Sequence, residues 1–196
     1  VPYIGNLKAP LLVGAGEGYR NILLLHGAKY SAGTWLELGT ITLLAEKGYR
    51  VAAVNLPVKE RSRSREDLLV DICDGLGMGK GSSPVIVSPS MSGTFSVPFL
   101  LHNTALIRAY VPVAPGEALR HTAEEFAAVE DVPALIVYGE EDSMGAQASQ
   151  LLANIPGSDV LMVPDAPHAA YLFEPNLFHD KLLEFFDTRV FSPSIQ

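Results

Sequence analysis

The sequence predicts an α/β fold with a mostly parallel central sheet flanked by helices. Three observations carry that prediction. Short runs with apolar residues at nearly every position recur along the chain, segments of helical periodicity separate them, and 48% of the 196 residues are hydrophobic against 18% charged. Continuous apolar runs mark strands buried on both faces, as parallel strands covered by helices are. Strand–helix alternation supplies the crossovers such strands need. The composition provides for a packed core and excludes disorder, and the length fits one domain over residues 1–196.

The elements follow in order. The first 20 residues are weakly patterned, with at most an edge strand near Leu11–Val13. The buried strands are read at "NILLLHG" (Asn21–Gly27), "RVAAVNLP" (Arg50–Pro57), "PVIVSPS" (Pro84–Ser90), "AYVPVAP" (Ala109–Pro115), "PALIVYGEED" (Pro133–Asp142) and "DVLMVPDA" (Asp159–Ala166). Between the first two, "TWLELGTITLLAEKG" reads as one helix with Trp35, Leu38, Leu43 and Leu44 on its core side and Gly48 as the C-terminal stop. "REDLLVDICDGLG" repeats that arrangement, and "MSGTFSVPFLLH", "GAQASQLLANIPG" and "EPNLFHDKLLEFFDTRV" follow later strands. Pro175 falls in the first turn of the last helix, where proline is tolerated.

Charge and composition exclude several classes. A net charge of −8 argues against broad nucleic-acid binding. No apolar run approaches the roughly 20 residues of a membrane span. The one cysteine, Cys73, allows no intrachain disulfide and fits a reducing compartment, so a cytoplasmic or nuclear location is expected. The chain begins at Val1 rather than Met, and a removed targeting segment would leave no trace in it. The five histidines show no metal-ligand spacing, so no metal and no required cofactor are expected. No long exposed apolar helix is evident, and a monomer is the default.

The chemistry concentrates at "PVIVSPSMSG" (Pro84–Gly93). In a parallel sheet, ligands meet the carboxyl ends of the strands. A serine between a strand and a helix there fits a nucleophile elbow, usually G-x-S-x-G, whose tight turn admits only small flanking residues. Serines stand in both glycine positions here. Ser90 is the candidate nucleophile, Ser88 and Ser92 support the turn, and Gly93 gives the following helix room to approach. A serine-rich turn by itself is commonplace. What gives this one weight is order: a serine hydroxyl needs a base and the base needs an orienting acid, and the chain supplies both past later strands. "ALIVYGEEDSMG" offers Asp142, with Glu140 and Glu141 as substitutes, and "LMVPDAPHAAYLFEP" offers His168. Alone, Asp142 would read as a helix cap and His168 as a surface histidine. The oxyanion donors would be the backbone N–H groups of Met91 and Ala28.

These segments, with "LLLHGAKYSAGTWLELGTITLLAEKGYRVAAVNLP" and "AYVPVAP", resemble the α/β-hydrolase superfamily along most of the chain and, more narrowly, the abhydrolase-domain-containing protein 14 family. The S-x-S-x-S elbow is the specific part. The resemblance implies Ser90, Asp142 and His168 as the triad and Ala28 and Met91 as the oxyanion pair. It implies a serine hydrolase acting on small activated acyl esters, and acyl transfer from acyl-lysine to coenzyme A. It further implies an acylated protein as a substrate and a transcription factor as a partner. One departure is clear: where such hydrolases carry an Asp and a glycine-rich turn, this chain has Asn55 and "VKERSRSRE" (Val58–Glu66). The plain reading of Lys59, Arg61, Arg63 and Arg65 is a solvated loop; the sharper one is a phosphate-reading surface suited to coenzyme A.

Among the remaining residues, His26 reads as a structural histidine bonding the backbone of the turn, His102, His121 and His179 as exposed, and Cys73 as a small buried residue. The segment between "VPVAP" and "VPALIVYG" has room for one helix, "AEEFAAVE", so little or no lid and an open, shallow site are expected. The competing reading is a protein-interaction or ligand-binding module on a hydrolase fold, with Ser88 or Ser92 diverting the imidazole from Ser90.

Overall fold

Among residues 11–13 and 20–191, which the computed structural model describes, seven strands form one sheet. They are β1 (Leu11–Val13), β2 (Asn21–Leu24), β3 (Arg50–Ala53), β4 (Val85–Pro89), β5 (Ala109–Val113), β6 (Leu135–Gly139) and β7 (Asp159–Val163). Their order is β1-β3-β2-β4-β5-β6-β7, with β1 antiparallel to β3 and every other pairing parallel. Each of β2 to β7 is shorter than the apolar run that predicted it. The tails of the runs, such as Leu25–Gly27 and Val54–Pro57, leave the ladder and become loops at its carboxyl edge.

The chain runs from β2 outward to β3, then returns to β4 on the other side of β2. The β2–β4 boundary is therefore the point where strand order reverses. Loops leaving β2 and β4 part there and open a crevice. Gly27–Ala28 and Ser90 lie on those two loops.

Alternating strand residues feed two cores. On one face Leu23, Ala52, Ile86, Tyr110 and Ile136 pack beneath α3 (Arg65–Gly75), α4 (Gly93–His102), α5 (Ala123–Ala127) and α6 (Ser143–Leu152). On the other, Ile22, Val51, Val85, Val111 and Val137 pack beneath α1 (Ala32–Glu37), α2 (Thr40–Glu46), α7 (Ala170–Phe173) and α8 (Pro175–Phe185). Burying both sheet faces is what made the strand sequences apolar at consecutive positions.

The first predicted helix is two helices. Gly39 adopts φ 80°, a left-handed conformation that ends α1 and redirects α2. The reorientation buries Trp35, Ile41 and Leu44, whereas Leu38 and Leu43 are only half-buried. Gly48 (φ 82°) follows the last turn of α2, as its position in the sequence predicted. The histidine expectation also needs correction. His102 is exposed, but His121 and His179 are half-buried. His179 Nε2 lies 2.8 Å from the buried Thr40 Oγ1, and burial holds its imidazole below the ordinary value, partly opposed by Asp180. Cys73 is fully buried, and its thiol is pushed up to about 12, which keeps it protonated and unreactive.

The β5–β6 connection holds a 3-10 turn (Gly116–Arg120) and the five-residue α5, one short turn more than the sequence suggested. Nothing in it is long enough to form a large lid. No helix among the described residues is long and apolar enough to cross a membrane.

Candidate active site

Ser90 sits at the junction of β4 with a single 3-10 turn (Ser90–Ser92) that leads into α4. Its φ is 52°, a left-handed backbone that a residue with a Cβ adopts at a cost of about 1–3 kcal/mol. Such strain persists only where the surroundings impose it. Here the turn lifts the Ser90 side chain off the sheet. Gly93 is needed just behind: a Cβ there would come within 2.5 Å of Pro115 Cβ, so any larger residue would push α4 from the end of β5.

Asp142 stands at the N-cap of α6 but makes no side-chain capping bond. Its carboxylate turns instead to His168, with Oδ2 accepting from Nδ1 at 2.5 Å. His168 Nε2 lies 2.7 Å from Ser90 Oγ. The acid is 8% exposed and the imidazole 39%, so the pair is sheltered at one end and open to a substrate at the other. The three side chains that the sequence put at the ends of separate strands thus form one continuous relay.

The two loops that carry Asp142 and His168 are latched to each other. Glu140 N–H donates to Val163 O and Glu141 N–H to Ala166 O, each at 3.0 Å. Glu140 Oε2 accepts from Asp165 N–H at 3.0 Å, at a turn where Asp165 has φ 53°. Glu140 is therefore a support for the histidine loop rather than a substitute acid. A Cβ on Gly139 would collide with the carbonyl oxygens of Ala166 and Pro167, and one on Gly145 with the Asp142 carboxylate. Neither glycine was singled out from the sequence: the constraint on Gly139 comes from a loop far along the chain, and that on Gly145 from the direction the Asp142 carboxylate takes.

Ser88 and Ser92 lie fully buried under the turn. Ser92 Oγ donates to Pro89 O at 2.8 Å, and Ser88 Oγ lies 2.9 Å from Ser92 Oγ and 2.6 Å from Ser96 Oγ. Both hydroxyls are engaged among themselves, so neither diverts His168. Ser96, and Tyr110 beyond it, went unnoticed in the sequence. The available signal was the one hydroxyl in apolar β5 and, in α4, a second hydroxyl beyond Thr94.

Across the crevice, Gly27 abuts the elbow: a methyl group on it would sit 3.9 Å from Ser90 Cβ. Ala28 follows on the exposed side of that turn, and Met91 follows Ser90. His26 braces the loop. Its Nδ1–H donates to Gly27 O at 2.9 Å, and its Nε2 accepts from Leu56 N–H at 3.0 Å, which fixes the tautomer. Asn55 Oδ1 accepts from Ala32 N–H at 2.9 Å and ties the start of α1 to the end of β3. Of the basic loop, Arg63 pairs with Asp71 and Arg65 bonds Thr94, while Lys59 and Arg61 are exposed with no ion pair among the described residues. No cluster of three or more metal-ligating side chains occurs among the described residues.

Comparison with known proteins defines the class and then the family. The solved structure of a CIB-like hydrolase from Thermoplasma acidophilum superposes with a TM-score of 0.75 at 20% identity, covering 89% of each chain. MGS-MChE2, an α/β-hydrolase from the metagenome of Mar Chica lagoon sediments, superposes with a TM-score of 0.77 at 21% identity over 95% of this chain and 100% of that one. The fold is that of the α/β-hydrolases. In sequence, "Putative protein-lysine deacylase ABHD14B" of Pongo abelii is 38% identical over 183 residues, 88% of this chain and 85% of that protein. Protein ABHD14A of Mus musculus is 37% identical over 85% of this chain and 70% of its own length. No family model matches. The chain is a hydrolase of the α/β-hydrolase class, and it belongs to the abhydrolase-domain-containing protein 14 family.

Proposed function

We propose that this protein is a serine hydrolase that cleaves short acyl esters or acyl-lysine amides through an acyl-enzyme on Ser90. The relay of Asp142, His168 and Ser90, at 2.5 and 2.7 Å and ending on a serine at positive φ, carries the proposal. His168 Nε2 takes the Ser90 proton as Oγ attacks the acyl carbon. Asp142 holds the imidazole proton on Nδ1 and stabilises the imidazolium. The oxyanion rests on the N–H groups of Ala28 and Met91. His168 returns the proton to the departing alcohol or amine. Water then attacks the acyl-enzyme, and Ser90 is released with a carboxylic acid. A thiol such as coenzyme A is the alternative acceptor and would release a thioester. The lysine-deacylase name of the ABHD14B relatives supports the amide substrate. So does the short β5–β6 connection, which leaves room for an acyl group on an exposed side chain.

Intact mass after incubation with a fluorophosphonate probe tests the proposal. Wild-type protein gains a single adduct and Ser90→Ala gains none. Folded wild-type protein that takes no adduct would refute Ser90 as an activated nucleophile.

The latch between the two loops gives a second expectation. In Gly139→Ala the new methyl pushes Ala166 and Pro167 away, and His168 moves with them. A shift of about 1 Å in a reacting group lowers kcat by about 10²-fold. The measurement is kcat on p-nitrophenyl acetate, with circular dichroism to verify the fold. An unchanged kcat would show that the latch does not set the position of His168.

A further inference from the structure

Four buried hydroxyls, of Tyr110, Ser96, Ser88 and Ser92, connect in series beneath the elbow. All four residues have 0% exposure. Ser96 Oγ lies 2.8 Å from Tyr110 Oη and 2.6 Å from Ser88 Oγ, Ser88 Oγ lies 2.9 Å from Ser92 Oγ, and Ser92 Oγ lies 2.8 Å from Pro89 O. Each hydroxyl has one proton to donate. A carbonyl oxygen only accepts, so the Ser92 proton is committed to Pro89 O. Ser88 must then donate to Ser92, Ser96 to Ser88 and Tyr110 to Ser96. The last acceptor thus fixes the direction of every bond. Tyr110 suits the donor end, since burial raises its phenol above the ordinary value and keeps the proton in place.

The acceptor at the end of the series belongs to the peptide that enters Ser90. That peptide is a rigid plane, and the φ of Ser90 is the rotation of the residue against it. Holding Pro89 O therefore restrains the strained φ of 52°. We infer that Tyr110, Ser96, Ser88 and Ser92 form a directional hydrogen-bond chain that clamps the Pro89–Ser90 peptide and aims the Ser90 hydroxyl, making Ser96 a positioning residue of the elbow and Tyr110 the donor that closes the chain. Glycines at 88 and 92 would satisfy the turn sterically. They would also leave Ser96 without its acceptor and Pro89 O without its side-chain donor. The inference rests on the reading of Ser90 as the nucleophile.

Direction makes the inference testable. Losing the hydroxyl next to Pro89 O removes the clamp. Losing the phenol leaves the three downstream bonds in place. The experiment is the second-order rate of fluorophosphonate labelling, with kcat and KM for p-nitrophenyl acetate and the unfolding midpoint, for wild type, Ser92→Ala, Ser88→Ala, Ser96→Ala and Tyr110→Phe. Ser92→Ala slows labelling about tenfold, the value of one hydrogen bond. Ser88→Ala and Ser96→Ala lose progressively less, and Tyr110→Phe stays within about twofold. kcat falls in the same order while KM holds. Folded Ser92→Ala that labels at the wild-type rate overturns the inference alone, as does a loss that follows the unfolding midpoint rather than position in the chain. Should Ser92→Ala fail to fold, Ser88→Ala against Tyr110→Phe decides: greater slowing in Ser88→Ala supports the clamp, and equal or reversed slowing overturns it. Wild type that takes no adduct refutes the nucleophile reading and this inference with it.

Discussion

Ser90→Ala lowers kcat for a short activated ester by about 10⁴–10⁶-fold, with the fold retained. The magnitude follows from what one atom does. In the proposed mechanism Oγ is the attacking group and the acceptor of the acyl chain, and His168 Nε2 has no other hydrogen-bond partner among the described residues. On the proposed oxyanion pair, removing Oγ leaves the N–H groups of Ala28 and Met91 in place, so the residual rate measures their contribution and substrate binding. The fold is retained because Ser90 is half-buried and its hydroxyl bonds only His168. Alanine has a Cβ as serine does and carries similar backbone strain at φ 52°. The checks are steady-state kinetics on p-nitrophenyl acetate and a thermal melt. A variant with near wild-type turnover and a normal melt would remove Ser90 from the mechanism.

Asp142→Asn lowers kcat by about 10⁴-fold through a single proton. As a carboxylate, Asp142 Oδ2 can only accept, which keeps the imidazole proton on Nδ1 and leaves Nε2 free to accept from Ser90. Asparagine of the same shape can present its N–H₂ to Nδ1. The proton then moves to Nε2, which becomes a donor and cannot take the Ser90 proton. Asparagine also lacks the charge that stabilises the imidazolium. KM changes little, because Asp142 is buried behind the histidine. The measurement is kcat and KM for the pair, with fluorophosphonate labelling alongside. Asp142→Asn that labels and turns over like wild type would remove the carboxylate from the mechanism.

Much of this site was legible in the sequence because nucleophile elbows impose local rules. The turn after β4 must be built of small residues and must start a helix, and "SPSMSG" shows both requirements within six positions. Asp142 and His168 were legible as candidates through order, since each follows a strand whose apolar run is easy to see. Glu140 was ambiguous. It lies two residues before Asp142 in the chain, and only the packing of β6 against the β7 loop sends its carboxylate to Asp165 N–H instead of to His168. Gly39 was missed for a different reason. Helical periodicity runs through it with little interruption, and the break is imposed by where Thr40, Ile41 and Leu44 find a buried surface.

The sequence by itself determined the strand–helix alternation and the sheet class and pointed to Ser90, Asp142 and His168 as side chains that could meet, because burial on both sheet faces and the chemistry of a serine relay each leave a local signature. The tertiary structure alone decided the contacts between segments distant in the chain. Gly139 must lack a side chain because the loop of Ala166 and Pro167 crosses it. Tyr110 and Ser96 meet Ser88 only when β5, α4 and β4 stack. A sequence records which residues can bury or donate, and close packing chooses which of them meet.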